Sequence, residues 1–348
     1  MKRIVAVLLI AALLPGLVSC KKTKKKYTDY CFDYFDTVTT LVGYADSKEE
    51  FDAVCTEIKG LLKEYHQLYD IYKRYDGVNN LCTVNDLHDG AHRPVQVDRR
   101  ILDLLTYAKE LYQVTGGKMN VAMGSVLSIW HYYRTEGIDH PDQAQLPPMD
   151  KLQEAAKHTD IEKLILNEQQ GTVFLADPAM LLDVGAIAKG YATEQVAQYL
   201  EAKGIGGYLL NVGGNVRCVG MRADGEPWSI GLENPDTEKT DTPYIAYLHL
   251  ADKSLVTSGS YQRYYTVDGV RYHHIIDPAT LMPGTNFCSV SVLCNHSGRA
   301  DALSTALFSM SFEEGEALIE ALPDAEAMWV LPDGAQRCSS GFENYCYE

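Results

Sequence analysis

The chain has 348 residues, is 46% hydrophobic and 22% charged, and carries a formal net charge of −16. That is ordinary globular composition, long enough for one large domain or two small ones. The acidic balance argues against a broad nucleic-acid-binding surface, and beyond the N-terminus no apolar run reaches the ~20 residues needed to cross a bilayer.

The N-terminus, MKRIVAVLLIAALLPGLVSC, joins a basic start (Lys2, Arg3) to an apolar stretch and then to small residues before Cys20. It reads as a secretion signal over residues 1–19 and is set aside from fold reasoning. Leu17-Val18-Ser19-Cys20 resembles the lipobox of bacterial lipoproteins. That resemblance implies lipidation at Cys20 and a membrane anchor outside the cytoplasm. The stretch KKTKKK, residues 21–26, then sets five lysines beside the anchor. They read either as a solvated tether or as a contact with anionic headgroups worth roughly 1 kcal/mol per lysine. Residues 20–29 are accordingly taken as lipidated cysteine and tether, and 30–348 as the folded domain. Eight further cysteines have irregular spacings and include no CxxC pair, which argues against zinc. They are expected to be mostly free, buried thiols, with Cys338 and Cys346 the best candidates for a disulfide.

TVTTLVGYA (37–45) alternates and is β-rich, so it predicts a strand. Residues 47–72 form a long amphipathic pattern with Ser47 as cap and Glu50 three residues on. Helices are also expected over 99–117, ending on glycines, and over 121–133. The polar, Pro-rich segment 134–150 reads as a surface loop. The second half is strand-rich: KLILN, TVFLA, GYLLNV, WSIGLE, YIAYLHL, YYTVDGVRYHHII, CSVSVL and AMWVL. Helices are expected between them at about 188–203, 300–311 and 312–322. With a hairpin signal at Val267-Asp268-Gly269-Val270, the pattern predicts an α+β fold with largely antiparallel sheets and packed helices.

Five segments carry site-like chemistry. In LLDVGAIAKGYATEQV (181–196) a strand end delivers Asp183, small residues bare the backbone, and a helix opens near Lys189. Backbone N–H groups and a lysine there suit a phosphate, although a plain tight turn reads equally. Gly213-Gly214 permits close backbone approach or a simple hairpin. Thr257, Ser258 and Arg263 lie in or beside a turn. His273 and His274 are strand neighbours and so face opposite ways; one is a packed histidine and the other a candidate general base. Asp301 and Thr305 share a helix face, offering two hard oxygens that fit half a magnesium shell, or alternatively a self-capping helix.

In this order the blocks Asp183–Ala192, Gly213–Val216, Thr257–Arg263, His274–Pro278 and Ala300–Ala306 resemble the ApbE family, the FAD:protein FMN transferases. The resemblance spans roughly residues 30–335 and implies one catalytic domain. It implies magnesium-dependent transfer of FMN from FAD to a Thr or Ser hydroxyl of an exported acceptor, such as a redox-pump subunit, with release of AMP. Asp301, Thr305 and the Ala186 carbonyl match the family's magnesium ligands. Phe35, Tyr72, Lys118, Met119, Asn120, Asp183, Lys189 and Ile275 match FAD-contacting positions. His274 is the candidate base and His273 the alternative. Four departures stand out: Ala186 and Leu281 each replace a usual glycine, Met119-Asn120 replaces Phe-Asp, and Phe35 replaces methionine. The same residues would serve an FAD pyrophosphatase; a non-catalytic FAD-binding lipoprotein is the remaining alternative.

Overall fold

Residues Thr39–Ala45 are buried at every second position, as one face of a half-covered strand requires. The structure, a computed structural model, describes residues 24–86, 92–236, 238–239 and 241–347. Residues 1–19, expected to be a signal, and Cys20 lie outside the described residues.

The strands are β1 (Lys25–Cys31), β2 (Thr39–Ala45), β3 (Val95–Gln96), β4 (Leu164–Asn167), β5 (Thr172–Leu175), β6 (Tyr208–Val212), β7 (Asn215–Val219), β8 (Trp228–Glu233), β9 (Tyr244–Leu250), β10 (Ser254–Gly259), β11 (Tyr264–Val267), β12 (Val270–His273), β13 (Ser289–Cys294), β14 (Ala325–Val330), β15 (Gln336–Cys338) and β16 (Cys346–Tyr347). The helices are α1 (Lys48–Tyr69), α2 (Leu81–Asn85), α3 (Arg99–Val114), α4 (Gly124–Asp139), α5 (Met149–Ala155), α6 (Ala188–Ala202), α7 (Ser297–Phe308) and α8 (Phe312–Glu320). Eight strands form one sheet in the order β1-β2-β6-β7-β10-β13-β14-β15, antiparallel at every pairing. One face packs on α1, α6, α7 and α8 through residues such as Leu210, Val256, Val292 and Leu303. The other face packs on the small sheet β16-β9-β8 through Trp228, Leu248, Leu255 and Leu293. Beside these layers, α4 and α5 share a separate apolar cluster with the β11–β12 hairpin, centred on Trp130, Tyr265 and Leu281. The fold is α+β, as the strand-rich second half predicts.

A buried ion pair sets the two helices that matter most. Arg217 of β7 reaches Glu194 of α6 at 3.1 Å, both side chains about 5% exposed or less. The same Glu194 oxygen accepts the backbone N–H of Ser297, the first residue of α7, at 2.8 Å. One carboxylate thus satisfies an orphan donor at a helix start and neutralises a buried guanidinium. Gly190 lets α6 and α7 touch: a Cβ there would lie 2.4 Å from the Ser297 carbonyl oxygen and 2.6 Å from the Asp301 Cβ.

Five expectations change. From Lys25 onward the supposed tether is the edge strand β1, paired from Lys25 with Ala45 to Cys31 with Thr39. The third helix runs to Asp139, not Tyr133, so the first six residues of the expected loop are helical. The strand expected through Ile276 ends at His273, and α7 opens at Ser297, three residues early. Cys338 and Cys346 are free thiols, as are the other six cysteines of the described residues. They sit in separate strands, Cys338 in β15 on the large sheet and Cys346 in β16 on the small one.

Candidate functional site

Register brings the site together at one end of the large sheet. Thr39 opens β2 opposite Val212, Val212 pairs with Asn215 across the Gly213-Gly214 turn, and Asn215 pairs with Val256. Thr37, Gly213, Asn215, Thr257, Ser258 and Gly259 therefore converge on one cleft, which α4, the start of α6, the His274–Pro278 turn and α7 complete. The cleft has a volume of about 350 Å³. Tyr72, Lys118, Met119, Asn120, Asp183, Ala186, Lys189, His274, Ile275, Asp301 and Thr305 all line it. Phe35 lines an adjoining lobe of about 470 Å³ with His66, Tyr69 and Tyr75; the two lobes share Asp36, Tyr72, Asp183, Gly185, Lys189 and Arg263.

Asp301 is 3% exposed, in the second turn of α7. It does not cap its own helix; His296 does, accepting from the Arg299 N–H. One Asp301 oxygen, Oδ2, accepts the Gly190 N–H at 2.8 Å and faces Lys189 Nζ at 3.5 Å. Oδ1 has no hydrogen-bond partner among the described residues. Burial raises this carboxyl above the usual range, with Lys189 and the Gly190 N–H opposing. Because the Gly190 N–H turns to Asp301, the Ala186 carbonyl accepts no backbone hydrogen bond among the described residues. Thr305 bonds back to the Asp301 carbonyl at 3.2 Å, and its oxygen lies 3.5 Å from Ser258 Oγ. The residues that carry this carboxylate, this carbonyl and this hydroxyl all line the cleft. Among the described residues no group of three or more His, Cys, Asp or Glu gathers for a metal. This all-oxygen set with one carboxylate suits magnesium, which keeps waters and takes substrate phosphate oxygens, and does not suit zinc.

The two histidines separate cleanly. His273 is buried, donating from Nε2 to the Gly284 carbonyl at 2.6 Å and accepting the Ile275 N–H at Nδ1. Both of its nitrogens are committed. His274 Nδ1 donates to the Arg263 carbonyl at 3.2 Å, which leaves Nε2 as the lone-pair nitrogen. Burial first, then the charges of Arg263 and Arg134 with His273 behind, push this imidazole down to about 3. It is therefore neutral at pH 7.

Other predicted contacts are used differently. Lys118 pairs with Asp277 at 2.9 Å and so ties the turn before α4 to the turn after His274. The Asn120 side chain is spent on the Ala122 N–H and the Thr159 carbonyl. Met119 is buried in the main core. Asp183 accepts the Gly185 N–H at 2.8 Å, shaping the bare turn. Tyr72, 62% exposed, stacks on His131 with centroids 5.0 Å apart. His131 and Arg134 belong to α4 and were not legible as site residues; Arg134 makes no ion pair among the described residues.

The description "ApbE family" fits a family profile that matches residues 35–329. An FAD:protein FMN transferase of Treponema pallidum (strain Nichols) is 36% identical over 262 residues, 71% of this chain and 70% of that protein. One from Klebsiella pneumoniae (strain 342) is 32% identical over 280 residues, 80% of this chain and 82% of that protein. The crystal structure of the ApbE protein of Thermotoga maritima MSB8 superposes with a TM-score of 0.80 at 27% identity, covering 93% of this chain and 100% of that one. The flavin transferase ApbE of Vibrio cholerae gives 0.74 at 27% identity, covering 92% and 99%.

Proposed function

This chain belongs to the ApbE family, and from that premise we propose that it is an FAD:protein FMN transferase acting on a protein hydroxyl. The observation that carries the reading is that Asp301, Ala186 and Thr305 line one cleft with Lys189 and His274, with Asp301 Oδ1 and the Ala186 carbonyl left without hydrogen bonds among the described residues. The burial of a carboxyl with one free oxygen is a cost that a divalent cation would relieve. Bound there by Asp301, Thr305 and the Ala186 carbonyl, magnesium would neutralise pyrophosphate charge as the leaving group departs.

The chain's own residues do the rest. Lys189 and the bare turn at Gly185 hold pyrophosphate oxygens. Arg134 and Arg263 add positive charge from the opposite elements of the cleft. Phe35, Tyr72, Tyr69 and Tyr75 supply aromatic surface in the adjoining lobe. The acceptor hydroxyl oxygen bonds to the FMN phosphorus as the bond to the AMP oxygen breaks. His274 Nε2 takes the hydroxyl proton; the polyanionic substrate offsets the two arginines that depress this base, raising its basicity on binding. Asp301→Ala should reduce AMP release from FAD by several hundredfold or more while the protein stays folded. Turnover near the wild-type rate in that variant would remove Asp301 from the metal set.

We further propose that Cys20 is lipidated and holds the enzyme on a membrane outside the cytoplasm, on the strength of the Leu17–Cys20 pattern. Cys20→Ala should leave the membrane fraction; unchanged membrane retention would defeat the anchor.

A further inference from the structure

Asn215 is 1% exposed, and its Oδ1 has no hydrogen-bond partner among the described residues, although the residue lines the cleft. Its orientation is fixed by its other end: Nδ2 donates to the Val212 carbonyl at 3.3 Å, so the amide oxygen cannot be turned that way. A buried acceptor left unmade costs about 1–3 kcal/mol, so such an atom calls for a ligand-side donor.

The register says where that oxygen lies. Asn215 pairs with Val256, so Ser258, two residues on, is its diagonal neighbour on the same face of the sheet. That face packs on α7. Ser258 Oγ is 2.8 Å from Ser304 Oγ and 3.5 Å from Thr305 Oγ1. Asn215 therefore stands one diagonal step from Ser258, whose hydroxyl in turn lies against the Thr305 hydroxyl placed at the cation. A pyrophosphate offers the orphan oxygen no donor. Magnesium keeps several waters, and each is a strong donor.

We propose that Asn215 Oδ1 accepts a hydrogen bond from a metal-bound water and so completes the outer shell of the cation site. Asn215 is a positioning residue: it acts on the cation through that water. The inference rests on the metal reading given above. Outer-shell partners are worth about 10–100-fold in metal affinity.

The test is Mn²⁺ titrated into full-length, FAD-free protein, with free Mn²⁺ followed by EPR, beside circular dichroism for folding. Asn215→Leu should weaken Mn²⁺ binding about tenfold or more, and Asp301→Asn should abolish it. Asn215→Asp, which keeps an oxygen at the position, should bind at least as tightly as wild type. If Asp301→Asn abolishes binding while Asn215→Leu binds as wild type, the inference falls and the metal site stands. Unchanged Mn²⁺ affinity with weakened FAD binding in Asn215→Leu also overturns it, assigning the oxygen to a substrate hydroxyl. Should Asn215→Leu fail to fold, Asn215→Asp decides: loss of Mn²⁺ from a folded Asn215→Asp protein overturns the proposal. A wild type that holds no Mn²⁺, or an Asp301→Asn protein that binds normally, removes the metal reading and the inference with it.

Discussion

Leu281 sits at φ 61°, in the left-handed region, where the ApbE resemblance leads one to expect glycine. The left-handed backbone costs a leucine roughly 1–2 kcal/mol. The side chain is nonetheless 8% exposed, packed with Trp130 and Tyr265, and such burial contributes about 1.5–3 kcal/mol. Glycine would also add unfolded-state freedom worth about 0.5–1 kcal/mol. Burial wins, so Leu281→Gly should destabilise by about 1 kcal/mol in denaturant unfolding; equal or greater stability would show that strain dominates. The same turn explains Lys118. Its position was legible, but its role was not, because the Asp277 that holds it lies 159 residues away. The two histidines were likewise alike in the sequence; in the structure His273 has both nitrogens engaged, by the Gly284 carbonyl and the Ile275 N–H, whereas His274 engages one, with the Arg263 carbonyl.

At the scale of elements, most strands and helices were legible from alternation, caps and turns. Ser47 caps α1 and accepts from the Glu50 N–H, and Asp268-Gly269 turns β11 into β12 with both residues at positive φ. α4 runs on through Gly137 although the segment from Arg134 onward reads as a polar, Pro-rich loop. The glycine has a packing cause: a Cβ at Gly137 would lie 2.4 Å from a Tyr265 ring carbon of the hairpin. Tertiary contact, absent from the local pattern, carries the helix on and places Arg134 in the cleft. Burial lowers that guanidinium's affinity for its proton, and Tyr72, Arg263 and Asp183 lie around it. Arg134→Ala removes a desolvated cation without a carboxylate partner among the described residues, so it should keep or raise thermal stability. It should also raise the KM for FAD about tenfold, or ~1.4 kcal/mol. A lower melting temperature with unchanged KM would make Arg134 structural.

Across the whole molecule, burial lowers His131, His273, His274 and His296 together. Each is held neutral when folded but titrates near 6.5 when unfolded, so the unfolded chain binds more protons below that pH. Stability therefore falls as pH drops through about 6.5, by up to ~1.4 kcal/mol per unit for each group until its own folded value is reached. Asp183 and Asp301, raised by burial, act in the opposite sense. Melting temperature should thus decline from pH 7 to pH 5; a flat or rising profile would contradict the buried neutral histidines. The five ordered blocks made the cleft legible because each carries a backbone-bare turn or a short spacing of polar residues. The convergence of Thr37, Asn215 and Arg134 was not legible, since it depends on strand register and on helix length.

The central claim is that the cleft moves FMN from FAD to a protein. The most direct measurement incubates protein from residue 21 onward with FAD, Mg²⁺ and a Thr-bearing acceptor peptide, and follows AMP, free FMN and peptide mass. The structure predicts AMP together with an FMN-sized mass gain on the peptide. AMP and free FMN regardless of peptide would make the enzyme a pyrophosphatase, and bound but uncleaved FAD in every condition would contradict the chemistry assigned to the site.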